Sequence, residues 1–201
     1  MIQEMKGTTA LLPTSYFPSL LYLKVINTFE TSIEIYETYQ KRTIRNRTVI
    51  LTANGPFRLS IPLKKGKTKS KITDTKISFE ESWQIQHLKH LKSAYGSSPY
   101  YEHYIDDIAQ ILEESPQQLL DLNFKILDYF HDLGYCCSWK LTQSYNYDVG
   151  KEIKDYRGND LLEWESQLPY HQVFQHKFGF VDGLSCLDLL FNMGPEGSAY
   201  L

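Results

Sequence analysis

The chain is predicted to fold as a mixed α/β protein, and three observations in its 201 residues carry that prediction. At the N-terminus an apolar run, a loop, a proline-initiated apolar helix and an alternating run follow one another, the β-loop-α-β order that builds parallel sheets. Two apolar stretches then flank Asn54-Gly55, the strongest short-range hairpin signal. Between residues 80 and 133 apolar side chains recur at helical spacing in three successive segments. The expected architecture is a mixed sheet with an N-terminal β-α-β unit and a β-hairpin, packed with a central run of three helices.

Taken in order, Thr9-Ala10-Leu11-Leu12 is a short apolar run ended by Pro13, a strand entering a loop. Pro18 fits the first position of a helix, where its missing N–H costs nothing. Leu20, Leu21, Leu23 and Ile26 give residues 18–27 an apolar face. Residues 32–36 alternate and read as the second strand. Residues 48–51 and 57–63 are the arms of the hairpin around Ala53-Asn54-Gly55-Pro56, and Pro62 ends the second arm or sets it at an edge. Residues 64–70 form a charged, glycine-containing loop, and residues 72–79 read as one more short strand.

The middle of the chain is helical. Trp83, Ile85, Leu88, Leu91 and Tyr95 define a helix over 80–95, broken by Gly96-Ser97-Ser98-Pro99. A second helix runs over 100–114. Ser115-Pro116 opens a third, which extends to Leu133 with Gly134 as its C-cap. Residues 139–142 read as a late strand, 146–165 as a long polar loop or lid, and 184–192 as a final apolar helix. Length gives a single domain over 1–201, with residues 1–8 as a disordered lead-in.

Charge is unevenly spread. Residues 40–76 hold 11 lysines and arginines against the single acid Asp74, a net +10, while the rest of the chain carries 10 basic and 23 acidic residues, a net −13. An anion is steered to the basic side. The three cysteines, Cys136, Cys137 and Cys186, are odd in number and lack zinc spacing, which fits reduced thiols. The first nine residues have no signal-peptide core and no apolar run reaches the ~20 residues that span a bilayer, so the expected compartment is the cytoplasm. The negative total charge and the absence of a recognised motif argue against nucleic acid as the partner. Walker, Gly-x-Gly-x-x-Gly, His-Glu-x-x-His and Cys-x-x-Cys signatures are absent. The sequence names no cofactor and leaves a homo-oligomer open.

Candidate site residues each have a plainer reading. Arg45, Asn46 and Arg47 lie between two apolar strands; in a strand Arg45 and Arg47 point to one face, and arginine suits bidentate phosphate or carboxylate recognition. Lys64 is either a ligand contact or part of a solvated loop. The Thr14-Ser15 loop precedes a helix, where backbone N–H groups favour an anion, or it merely caps that helix. His87 is a candidate general base or pocket hydrogen-bonding group, set against an ordinary half-buried histidine. His87 and His90 lie one turn apart, without an evident third metal ligand. Tyr95, Ser98 and Tyr100 surround a helix-helix junction and either line a site or cap a helix. Asp188 and Asn192 are either polar groups on a helix face or site residues.

These segments together resemble the WbqC-like family of bacterial proteins. The resemblance rests on residues 11–18 (LLPTSYFP), 37–47 (ETYQKRTIRNR), Ala53-Asn54-Gly55-Pro56 and residues 59–62. It continues through Trp83, His87, residues 93–95, residues 98–101 and Tyr170. Gln172-Val173-Phe174, Lys177, Gly179-Phe180, Leu184-Ser185, residues 188–192 and Gly194-Pro195-Glu196 complete it, so that it covers nearly the whole chain. It implies an association with O-antigen and other surface-polysaccharide loci and a role in modifying an activated sugar. Longer members carry a histidine in the loop after the first strand, where this chain reads Pro13-Thr14-Ser15, and a glycine-rich segment where this chain has residues 146–165.

Two functions follow as expectations. The first is a transferase of acyl or aminoacyl type, whose anionic donor, nucleotide-linked or acyl, lies against Arg45, Arg47 and Lys64. His87 is then its catalytic residue, and Tyr95, Ser98, Tyr100 and Gln172 shape the pocket. Thr14, Tyr16, Asn46 and Lys177 complete the ligand-binding set. The second is a non-catalytic anion- or glycan-binding scaffold of the same pathway.

Overall fold

The computed structural model describes residues 9–65, 70–145, 149–150, 152–158 and 168–201. The first apolar run becomes strand β1 (Thr9–Pro13), with every side chain after Thr9 buried, as in a parallel strand covered on both faces. Helix α1 (Leu20–Thr28) follows, and strand β2 (Glu30–Glu34) pairs parallel to β1 from Thr9↔Glu30 to Pro13↔Glu34. The helix begins two residues after Pro18 because the Ser19 hydroxyl accepts the Tyr22 N–H at 3.3 Å, the hydrogen bond that makes serine a strong N-cap. Strand β2 sits two residues before the predicted span. Pairing with β1 sets its limits, and the alternation of residues 32–36 does not.

Strands β3 (Arg47–Thr52) and β4 (Gly55–Ser60) form the predicted hairpin in antiparallel register, Arg47↔Ser60 to Thr52↔Gly55. The turn centres on Ala53-Asn54, and Gly55 closes it at φ +99°, a conformation open to glycine at little cost. The second arm stops at Ser60, short of the predicted Leu63. The strand expected over 72–79 is instead a 3₁₀ turn, Ile72–Asp74, followed by isolated bridges Leu63↔Ile77 and Lys76↔Gln118. The amide of Ile72 donates to the Glu37 carbonyl and that of Thr75 to Ile72, so no run of free amides remains for a ladder.

The three central helices are α2 (Trp83–Tyr95), α3 (Tyr101–Glu113) and α4 (Leu119–Asp132). Gly134, at φ +77°, closes α4, as expected. The late strand is β5 (Lys140–Leu141), parallel to β2. Strand β6 (Ile153–Asp155) pairs parallel to β1 and completes the order β5-β2-β1-β6. Part of the expected 146–165 loop is therefore a sheet edge. Residues 146–148, 151 and 159–167, with the lead-in 1–8 and loop positions 66–69, lie outside the described residues.

A short helix, α5 (Gln175–Phe178), was not predicted. Helix α6 (Cys186–Met193) is buried from Cys186 to Asn192. Its start ties three elements together: Ser185 N–H donates to Val49, Cys186 N–H to Pro18, and Ser19 bridges Ser185. Leu187, Leu189, Leu190 and Phe191 then fill the core among α1, α2, α3 and β3. Among the described residues no helix is long and apolar enough to cross a membrane.

Candidate functional site

All the pairings of the four-stranded sheet are parallel, so the carboxyl ends of β1, β2 and β6 share one edge, the edge where open α/β sheets bind ligands. That edge carries Thr14, Glu34, Glu37, Asp155 and Arg157. Arg45 enters it from the turn before the hairpin. The Arg45 guanidinium is 1% exposed and grips Glu37 with two bonds, Nε to Oε1 at 2.6 Å and Nη2 to Oε2 at 2.5 Å. Its remaining donors reach Thr43 Oγ1 and the Arg157 carbonyl. Arg157 in turn bonds Asp155 and, at 3.2 Å, Glu34. Burial pushes the Asp155 carboxyl up, but the Arg157 hydrogen bonds outweigh it and hold the acid below its usual range. Burial likewise raises the Glu37 carboxyl, with Arg45 opposing it.

Asn123 of α4 joins this centre to β1. Its amide donates to Thr14 Oγ1 at 3.0 Å and to the Arg45 carbonyl at 2.8 Å. Its own oxygen is buried without a partner.

The two arginines expected on one strand face are separated. Arg45 precedes β3, and its charge is neutralised inside the protein. Arg47 is the first residue of β3, half-buried, with its Nε shielded from water and without a hydrogen-bond partner. Arg47↔Ser60 and Val49↔Arg58 are cross-strand pairs, so Arg47, Val49, Arg58 and Ser60 share the outward face of the hairpin. Asn46 braces the hairpin base: its amide donates to the Ile61 carbonyl and its oxygen accepts from Tyr39.

Tyr16 and His87 meet in the core. The Tyr16 hydroxyl and His87 Nδ1 are 2.9 Å apart. Burial lowers the imidazole from 6.5 to about 4, a hydrogen bond to the Ser60 backbone works weakly against that, and His90 adds to it. Burial also lifts Tyr16 well above its usual value. The imidazole is therefore neutral and the Tyr16 hydroxyl protonated, and one hydrogen bond joins them at Nδ1. His87 fixes the strand residue opposite Arg47, and its ring lies edge-on to Trp83. His90 stacks on Phe57 instead of joining His87.

The loop after β1 is held by similar contacts. Phe17 sits at φ +39°, strained for a residue with a side chain, and its carbonyl accepts from Thr48 at 2.8 Å and Ser185 at 3.2 Å. At the start of α1, Leu20 N–H donates to Leu184 and Tyr22 N–H to Ser19. These two amides are already matched by protein acceptors, so the anion site expected there loses them.

Tyr95 and Gln172 come together at Asp188. Tyr170 donates to Asp188 Oδ2 at 2.6 Å and Gln172 at 3.1 Å, while the Tyr95 hydroxyl accepts the Leu51 N–H. Burial raises Asp188, against the pull of Tyr170, Tyr95 and Gln172. Ser98 is buried with no partner for its hydroxyl, and Tyr100 stands at the N-cap of α3 without a side-chain cap. Neither caps the helix through its side chain. Lys64 is exposed, and Lys177 donates to the Ala53 carbonyl at the hairpin turn.

The expected residues thus fall into separate places. Thr14 and Arg45 meet through Asn123, Tyr16 meets His87, and Tyr95 meets Gln172. Arg47 stands on the hairpin. Glu34, Glu37, Asn123 and Arg58 were absent from the candidate set. Arg58 was legible only as one of the 11 basic residues of 40–76, and nothing local marks Asn123.

A model described as the WbqC-like protein family matches residues 14–155 of the chain. The chain is also similar to an uncharacterised protein of Mycobacterium tuberculosis, Rv1507c, at 27% identity over 226 residues that cover 96% of each. No solved structure matches.

Two outcomes follow from this geometry. Glu37→Ala leaves Arg45 buried without its counter-ion and is expected to lower unfolding free energy by about 3–5 kcal/mol, whereas replacing both residues with Met costs less. Urea titration of the three proteins checks this, and a single-variant loss under about 1 kcal/mol contradicts the buried pair. For His87, the folded value is depressed below the unfolded one, so its stabilisation is complete above pH 6.5 and drains away as pH falls towards 4. The expected difference in acid sensitivity between the native protein and His87→Asn is on the order of 3 kcal/mol. Parallel pH-stability curves for the two would contradict a neutral buried ring.

Proposed function

The chain belongs to the WbqC-like protein family, and from that premise we propose that it is a cytoplasmic transferase acting on an activated, anionic donor in bacterial surface-polysaccharide assembly. The observation that carries the reading is Arg47. It stands in a segment of net +10, and its Nε has no acceptor within the protein. An unmade buried hydrogen bond costs roughly 1–3 kcal/mol. An arginine so placed gains when it turns to meet a phosphate or carboxylate, which its planar fork fits side-on. Arg45 cannot take that part without losing Glu37. In this reading His87, buried and bonded to Tyr16, serves as a positioning residue behind the hairpin.

A second reading, a non-catalytic anion- or glycan-binding protein of the same pathway, draws on the same facts. Arg45, expected to bind the ligand, and His87, expected to act as the base, are both buried and held by protein partners.

The test is a thermal-shift screen of the purified protein against nucleotides, nucleotide sugars, acyl carriers and simple anions, with Arg47→Ala alongside. A native-state ligand at about 100 times its Kd stabilises by roughly 2.7 kcal/mol. The expected result is a selective rise in Tm with one donor class that Arg47→Ala abolishes, together with turnover of that donor. Selective binding without turnover moves the assignment to the scaffold. A flat panel, or shifts that persist in Arg47→Ala, removes both readings.

A further inference from the structure

Resting on the donor reading above, we infer that Arg47 and Arg58 together form a clamp for a diphosphate on the outward face of the β3–β4 hairpin. Cross-strand pairing places Arg47 opposite Ser60 and Arg58 opposite Val49, two positions further along. The two arginines are diagonal neighbours on one face, with Cβ atoms roughly 7–8 Å apart and their long side chains within reach of a common ligand. Like charges so close repel one another, and among the described residues neither has a carboxylate within ion-pair distance. The surrounding stretch supplies none from its own sequence, since Asp74 is the one acid between residues 40 and 76.

The two side chains also differ in a useful way. Arg47 is half-buried, and its Nε lacks an acceptor in the ligand-free conformation. Arg58 is exposed and free to close over a bound group. A single phosphate or carboxylate fills one guanidinium fork. A diphosphate presents two adjacent phosphoryl groups, each able to accept a bidentate contact, and so cancels the repulsion that the empty face carries. The hairpin is held rigid behind these residues. Its base is braced by Asn46, its turn by the Lys177–Ala53 bond, and Ser60 by His87. The donor class is therefore a diphosphate-linked group and not an acyl carboxylate.

The probes are inorganic pyrophosphate and inorganic orthophosphate, titrated calorimetrically at low salt into the full chain, Arg47→Ala, Arg47→Lys, Arg58→Ala and the Arg47/Arg58 double variant. Pyrophosphate affinity is expected to fall about tenfold or more in each single variant. In the double variant the losses combine non-additively, because both residues hold one ligand. Orthophosphate is expected to depend on Arg47 and to bind Arg58→Ala as it binds the native chain. Arg47→Lys retains charge without the fork and is expected to resemble Arg47→Ala, which separates a clamp from a general positive field. Pyrophosphate binding that needs Arg47 but ignores Arg58 overturns the clamp and leaves the donor reading standing. Binding that ignores both residues overturns the two together. Unchanged melting temperatures of the ligand-free variants establish that folding is not what was lost.

Discussion

The buried pair of Glu37 and Arg45 is the contact on which the arrangement of the other elements depends. Taking both charges out of water is costly, and only close bidentate geometry with further hydrogen bonds offsets it. Arg45 has that geometry, together with acceptors from Thr43 and the Arg157 carbonyl. The turn that carries Arg45 is bonded on every side. Ile44 accepts the Tyr16 amide, the Arg45 carbonyl accepts Asn123, and Asn46 bonds Ile61. Parallel sheet, hairpin and α4 therefore meet at residues 43–46.

This anchoring explains how a basic segment divides its labour. The Arg45 guanidinium inside the fold is saturated by partners, and the one at the start of β3 keeps an unmatched Nε. Two positions of chain thus separate the two. His87 follows the same logic. In an apolar site the neutral imidazole is favoured, and the Tyr16 hydroxyl lies 2.9 Å from its Nδ1. The ring becomes a strut behind the hairpin.

A second buried polar centre, around Asp188, ties the C-terminal part to the hairpin. Tyr170 and Gln172 bond the carboxylate, Gln172 also bonds Val181 in both directions, and Tyr95 receives the Leu51 amide. Asp188 accepts from Tyr170 and Gln172 and so is the hub of this buried network. The two centres hold the hairpin from opposite ends.

The sequence by itself determined the β-loop-α-β order, the hairpin, the three central helices, the family and the concentration of positive charge. Each of these depends on residues within a few positions of one another, through side-chain periodicity, proline and glycine conformation, and capping. Strand β6 was not legible because three polar-flanked residues carry no alternation of their own; pairing with β1, more than a hundred residues away, makes them a strand. The 72–79 stretch was misread for the converse reason, since its alternation found no ladder to join. Asn123 and Glu37 lay unseen because their partners are set by packing. Tertiary structure alone decided that Arg45 is saturated by partners and that Arg47 Nε is not, because the cost of a buried charge depends on which groups surround it, and that is fixed only when distant segments come together.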